Sequence, residues 1–150
     1  VNRDLTRLAP RFRNSVKAAL AECRARGLDA FVFEANRSSA LQAHYYARGR
    51  TIVPPARPVT NARSNLFSWH GYGLAVDVIS RSRGWNAGEE WFRRVAAIFR
   101  VHGLRWGGEW VMKDLPHFQW GKCKPSPSDR ARELHAREGV RSVWRAVGAE

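Results

Sequence analysis

The stretch Ser68–Asp77, S-W-H-G-Y-G-L-A-V-D, limits the fold of this chain more than any other segment. Gly71 and Gly73 follow His70 closely, and each glycine inside a helix costs about 1 kcal/mol relative to alanine. The metal-binding pattern of two histidines one turn apart on a helix therefore does not apply. The expectation is a tight turn bearing His70 that leads into a strand from Leu74 to Ile79, where the residues alternate and end in an apolar run. Asp77 lies on that strand. Its carboxylate can turn back toward His70 only if the glycines let the backbone fold closely.

A second punctuated stretch runs G-L-R-W-G-G-E-W from Gly103 and then D-L-P-H-F-Q-W from Asp114. Pro116 holds Leu115 extended and launches His117 onto a strand, with Asp114 in the preceding turn. His70, Asp77 and His117 together would supply three protein ligands, the number that a catalytic zinc takes while keeping a fourth position for water. A carboxylate beside such a site can accept that water's proton. Asp114 is the candidate for this base, and Glu109 the alternative. A cation is also wanted beside the developing oxyanion or a substrate carboxylate, and Arg37, at a strand-to-helix junction, is the best placed.

Around these stretches the periodicity changes repeatedly. Leu5, Leu8, Phe12, Val16, Ala19, Leu20 and Cys23 recur at helical spacing up to Gly27, with a break expected near Pro10. Leu28 to Glu34 reads as a short strand, and Ser38 to Arg48 as a helix opened by a serine cap. Gly49 to Leu66, rich in proline, reads as a long loop. A third helical stripe of Trp91, Val95, Ile98, Phe99 and His102 closes at Gly103, and short strands follow at Leu104 to Trp106 and His117 to Trp120. Strands mixed with helices, without regular βαβ repetition or a glycine-rich phosphate loop, indicate an α+β fold: a small, mainly antiparallel sheet with helices packed on it.

After Lys122 the composition shifts to two short basic helical stretches, the second with Val140, Val143, Trp144 and Val147 on one face. The expectation is a catalytic domain over residues 1–124, with residues 125–150 a helical extension docked on it through Leu134, Val143 and Trp144. The competing reading presses this basic helix on an anionic envelope surface. Trp69, Trp106, Trp110 and Trp120 cluster around the two motifs and read as core and cleft wall. His44, His102 and His135 lack partner spacing and read as structural or exposed. Cys23 and Cys123, far apart and without CxxC spacing, indicate neither a disulfide framework nor a zinc ribbon.

The chain carries 26 Lys and Arg against 13 Asp and Glu, a formal charge of +13, yet 44% of its residues are hydrophobic. That combination excludes intrinsic disorder and calls for a polyanionic partner: nucleic acid, an anionic lipid surface or an anionic cell-wall polymer. No apolar run is long enough for a transmembrane helix. Arg3, Asp4, Arg7, Arg11, Arg13 and Lys17 interrupt any signal-peptide core near the start, so no export signal is expected.

These residues also match a known group. The chain resembles the L-alanyl-D-glutamate endopeptidases of bacteriophage endolysins, and more broadly the zinc peptidases that include D-alanyl-D-alanine carboxypeptidases and share a fold with the hedgehog signalling domain. Ser68, His70, Gly73, Ala75 and Asp77 meet the group's S-x-H-x-x-G-x-A-x-D motif, and Asp114, Pro116, His117 and Phe118 its D-x-P-H-F motif. Upstream, Arg37, Ser38 and Gln42 meet R-S-x-x-x-Q, Gly49 to Thr51 meet G-R-T, and Val59, Thr60 and Ala62 meet V-T-x-A. The resemblance covers roughly Leu28 to Trp120 and leaves out the tail after Lys122. The carboxypeptidase branch typically has E-x-W-H before its last ligand, whereas D-L-P-H stands here, which favours the endopeptidase branch. Glu109 departs from the aspartate more usual at its position.

The resemblance implies one zinc ion on His70, Asp77 and His117, Asp114 as catalytic base, and Arg37 on the substrate or the tetrahedral intermediate. Gln42, Thr60, Ser68 and Trp110 are the further expected substrate contacts. The implied enzyme is a monomeric endolysin made in the host cytoplasm and acting on peptidoglycan in the periplasm or cell wall, without specific nucleic-acid binding. The alternatives are a D-alanyl-D-alanine carboxypeptidase of the same fold and a non-catalytic basic binding domain.

Overall fold

Proline and glycine punctuation sets the first elements of the computed structural model, which describes residues 1–150. A 3₁₀ turn at Leu5–Arg7 is capped by Asp4, and Pro10 then opens α1 (Pro10–Ala25) at the one helical position where a missing N–H costs nothing. The expected break near Pro10 separates these two pieces. Phe12, Val16, Ala19 and Cys23 form the fully buried stripe of α1. After β1 (Ala30–Glu34), Ser38 caps α2 (Ser39–Ala47), its Oγ accepting from the Leu41 N–H at 3.1 Å.

The remaining elements are β2 (Ala75–Ser80), α3 (Glu89–Val101), β3 (Leu104–Trp106), β4 (His117–Trp120), α4 (Asp129–Glu138) and α5 (Val140–Ala146). The four strands form one antiparallel sheet in the order β1-β2-β4-β3. The fold is thus α+β, as the mixed periodicity indicates.

Strand alternation divides the sheet into two chemically different faces. On one, Val76 pairs with Phe118 and Val32 with Val78, all buried. Helices α1 and α3 cover this face: Phe99 lies 4.4 Å from Phe118 between ring centroids, and Phe12 meets Trp120 edge-on at 6.5 Å. Trp91, Phe92, Val95 and Ile98 complete the apolar stripe of α3. His102 closes the helix and faces α1, its Nε2 3.1 Å from Glu22. On the other face Asp77 pairs with His117, and Gln119 follows two residues along β4.

The terminal helices pack against this body. Val143 is buried, and the Trp144 indole donates to the Tyr72 carbonyl at 2.6 Å, inside the turn that carries His70. Trp120 donates to the Val147 carbonyl at 2.7 Å, and the Arg11 N–H to that of Ala149 at 2.9 Å. No helix is long and apolar enough to cross a membrane.

Two outcomes follow from this packing. Trp144→Phe removes the indole hydrogen bond at a cost of roughly 1 kcal/mol, expected to lower the melting temperature by about 2–4 °C in thermal denaturation. Burial pushes the Cys23 thiol up to about 11 and the Cys123 thiol up to about 12. Neither cysteine should react with iodoacetamide at pH 8 in the native protein, and both should react in denaturant.

Candidate metal centre

His70 sits on the 3₁₀ turn Trp69–Tyr72, whose N-terminus is capped by the Ser68 hydroxyl accepting from the His70 N–H at 3.3 Å. Gly73 ends the turn at φ +67°, and a Cβ there would stand 2.6 Å from the Arg7 carbonyl. Glycine is required by both the dihedral and the close approach. The His70 carbonyl accepts from the Arg37 N–H at 3.0 Å and the Asn36 amide at 3.2 Å, tying this turn to the segment between β1 and α2.

The proton positions on the two histidines follow from their partners. His70 Nδ1 lies 3.0 Å from the Ala35 carbonyl, which can only accept, so Nδ1 carries a hydrogen and Nε2 is the ring nitrogen turned toward the other two ligands. That Nε2 is 3.3 Å from Asp77 Oδ1. His117 Nε2 lies 2.8 Å from Gln119 Oε1, while the Gln119 amide nitrogen donates to the Lys124 carbonyl at 2.8 Å. Gln119 therefore presents its oxygen, and His117 directs the free Nδ1 to Asp77 Oδ1 at 3.8 Å. The three ligand atoms lie within 4.8 Å of one another. Two imidazole nitrogens and one carboxylate oxygen, with the outer ring nitrogens already hydrogen-bonded, suit a tetrahedral zinc that keeps one position open.

Register across the sheet builds this cluster. Glu34 on β1, Asp77 on β2 and His117 on β4 stand directly opposite one another. A register shift between Val32 and Glu34 is what brings Glu34 into this row. Without it, strand alternation would leave Glu34 on the core face with Val32.

Arg37 links the row to α2. Its Nε pairs with Glu34, its Nη1 donates to Gln42 Oε1 at 2.8 Å, and its Nη2 reaches Asp77 Oδ2 at 3.5 Å. The guanidinium also stacks on Tyr45 at 4.9 Å, and the Tyr45 hydroxyl donates to Glu34 at 3.1 Å. Burial, reinforced by Glu34, raises the Tyr45 hydroxyl above its ordinary range.

The electrostatics keep Asp77 ionised and His117 neutral. Burial opposes charge on Asp77, but His70, His117 and Arg37 outweigh it and hold the carboxyl down at about 2. Burial, with His70 beside it, lowers His117 to about 4, so the ring is neutral at pH 7. Asp114 Oδ2 stands 4.0 Å from His117 Nδ1, with about half of its side chain accessible (49%) at the cleft mouth. Desolvation by the concave wall, aided by the Asp77 carboxylate, pushes Asp114 up to about 6. Gly107 permits this position: the Asp114 N–H donates to the Gly107 carbonyl at 2.9 Å, and a Cβ on Gly107 would meet the Asp114 carbonyl at 2.6 Å.

A cleft of about 920 Å³ opens over the cluster, and His70, Asp77, Asp114, His117 and Arg37 all line it. Thr60, Ser68 and Trp110 line it too, with the Trp110 ring 4.9 Å from that of His117. Gln42 does not. Expected at the substrate, it is instead fully buried, accepting from Arg37 and donating to the Ala62 carbonyl at 2.7 Å, so it positions Arg37 and the loop. Glu109, the alternative base, is absent from the cleft wall and pairs with Arg100 at the surface. Sequence reasoning overlooked Glu34, Tyr45 and Gln119. The signal for Gln119 was present in H-F-Q-W, where two polar residues alternate with two aromatic ones.

Comparison with known proteins finds similarity to peptidases in one segment and in the fold. The profile of a family described as D-alanyl-D-alanine carboxypeptidase matches residues 61–120, the segment from the end of the long loop through β4. A mutant of the vancomycin-resistance D,D-pentapeptidase VanY, from a VanB-type resistance cassette and in complex with Zn(II), superimposes with a TM-score of 0.54 at 16% identity. That match covers 87% of this chain and 79% of that one. VanYB in complex with D-alanine-D-alanine gives a TM-score of 0.51 at 19% identity, covering 92% and 82%. The LD-carboxypeptidase LdcB gives 0.53 at 14% identity, covering 93% and 68%. At these identities the shared property is the fold.

The hydrogen bond from His117 to Gln119 yields a direct test. Gln119→Leu, close in volume but unable to hold the imidazole, should weaken zinc affinity by roughly 10–100-fold in competition with a chelating dye.

Proposed function

We propose that this protein is a zinc-dependent peptidoglycan hydrolase of the endolysin type, cleaving the bond between L-alanine and D-glutamate in the stem peptide. The observation that carries this reading is the convergence of His70 Nε2, Asp77 Oδ1 and His117 Nδ1 within 4.8 Å beneath a cleft whose wall holds Asp114. Zinc bound there supplies Lewis acidity, lowering the pKa of water and polarising the scissile carbonyl.

The chain's own residues do the rest. Asp114 accepts the proton of the attacking water and returns it to the leaving amine, a task suited to a carboxyl held near neutral pH. Arg37 commits three N–H groups to Glu34, Gln42 and Asp77, and a guanidinium has hydrogens to spare for a substrate oxygen. Thr60, Ser68 and Trp110 border the bound peptide. The charge of +13 favours approach to a wall rich in carboxylates and phosphates and supports the reading that the enzyme works in the cell wall.

The preference for the L-Ala–D-Glu bond rests on D-L-P-H at Asp114–His117 in place of E-x-W-H. A second reading, removal of D-alanine from the stem terminus, has in its favour the family profile over residues 61–120 and the neighbour holding D-alanine-D-alanine.

Mass spectrometry of peptidoglycan fragments separates the two: new N-terminal D-glutamate supports the endopeptidase, and released D-alanine the carboxypeptidase. A zinc-loaded protein that frees neither product would end the enzymatic reading. Chelation should abolish activity and added zinc restore it. His70→Ala and Asp114→Ala should each lower turnover by at least about 100-fold, but elemental analysis should show zinc lost only from His70→Ala.

A further inference from the structure

Three Lys or Arg side chains line the cleft, Arg37, Arg48 and Lys113. Two of them are neutralised by the protein: Arg37 by Glu34 and Asp77, and Lys113 by Glu89 at 2.9 Å. Arg48 is half-buried on the cleft wall, yet no carboxylate approaches its side chain within 4 Å and no protein group accepts a hydrogen bond from it. A half-buried guanidinium with no protein partner keeps its N–H groups for water or for an incoming anion, and a bidentate carboxylate suits them best. We infer that Arg48 forms a carboxylate subsite that binds a free carboxylate of the stem peptide, an assignment resting on the peptidoglycan reading above.

The position of Arg48 suits this role. It caps the C-terminus of α2, its N–H bonded to the His44 carbonyl at 3.2 Å, and stands three residues beyond Tyr45, whose ring stacks on Arg37. That spacing sets it on the same side of the helix, about 5 Å further along the axis than Tyr45. Thr60 also lines the cleft, and because its Oγ1 accepts from the Ala62 N–H at 3.1 Å, its own hydrogen remains available to donate. Arg37 is engaged by Glu34 and Asp77 and Lys113 by Glu89, so Arg48 is the cleft side chain whose guanidinium is left for a substrate carboxylate.

A stem peptide with lysine at its third position offers two such groups. D-glutamate is joined through its side-chain carboxyl, leaving its α-carboxylate free beside the L-alanine carbonyl, and the peptide terminus is also a carboxylate.

The test titrates three synthetic stem tetrapeptides calorimetrically into protein with and without Arg48→Met, in an Asp114→Ala background that blocks turnover. One peptide is the free acid, one carries the D-glutamate α-amide and one the C-terminal amide. With Arg48 intact, one amide should bind at least about tenfold more weakly than the free acid, and that amide identifies the carboxylate recognised. In Arg48→Met the difference should shrink to within about twofold. A preference that survives Arg48→Met, or that is absent with Arg48 present, overturns the assignment. Because this readout is binding, it stands apart from the bond cleaved, which the product masses report.

Discussion

The buried carboxylate of Asp77 is the charge around which the site is organised. Removing an ionised carboxylate from water costs several kcal/mol unless it is paired and hydrogen-bonded. Asp77 meets His70 at 3.3 Å, His117 at 3.8 Å and Arg37 at 3.5 Å, and each of these is itself held by a further group. The Ala35 carbonyl fixes His70, Gln119 fixes His117, and Glu34 with Gln42 fixes Arg37. The cluster is thus held from every direction except the cleft, where two ring nitrogens and a carboxylate oxygen converge.

That arrangement depends on the layer beneath. Val76, Val78 and Phe118 point into the helices from the same strands that direct Asp77 and His117 into the cleft, so the packing that stabilises the sheet also sets the site's register. A slip of one residue in β4 would turn His117 into the helix-covered face and Phe118 toward the cleft. The tail contributes from the other side: Trp144 holds Tyr72, and Tyr72 belongs to the turn that presents His70. Truncation at the tail would therefore be felt at the metal ligands without touching them.

The charge distribution separates two tasks. Near the ligands the cations are matched by acids, which favours a divalent metal over an anionic substrate. Beyond Tyr45 the balance reverses at Arg48, and much of the outer surface is basic. A long-range positive field of this kind favours the approach of a polyanion.

Much of the architecture was legible because it rests on local chemistry. Pro10, Pro116, the glycines after His70 and the apolar periodicities mark the helices and strands, and the two motifs mark His70, Asp77, Asp114 and His117. What lay beyond sequence reasoning were relations between distant segments. Glu34 reads as the end of an apolar strand until a register shift turns it toward Arg37, and Gln42 reads as a substrate contact until burial shows both ends of its amide already bonded. Asp114 and Glu109 are equivalent as acids in a turn, and only the fold sends one to the cleft and the other to Arg100. Sequence by itself determined which residues offer ligand atoms and acids in the two motifs and which local conformations they take, because backbone restriction and residue type act within a few positions. Tertiary structure alone decided the partners, the proton positions on the histidines and which arginine remains free, because those depend on strand register and on which charges share a desolvated space.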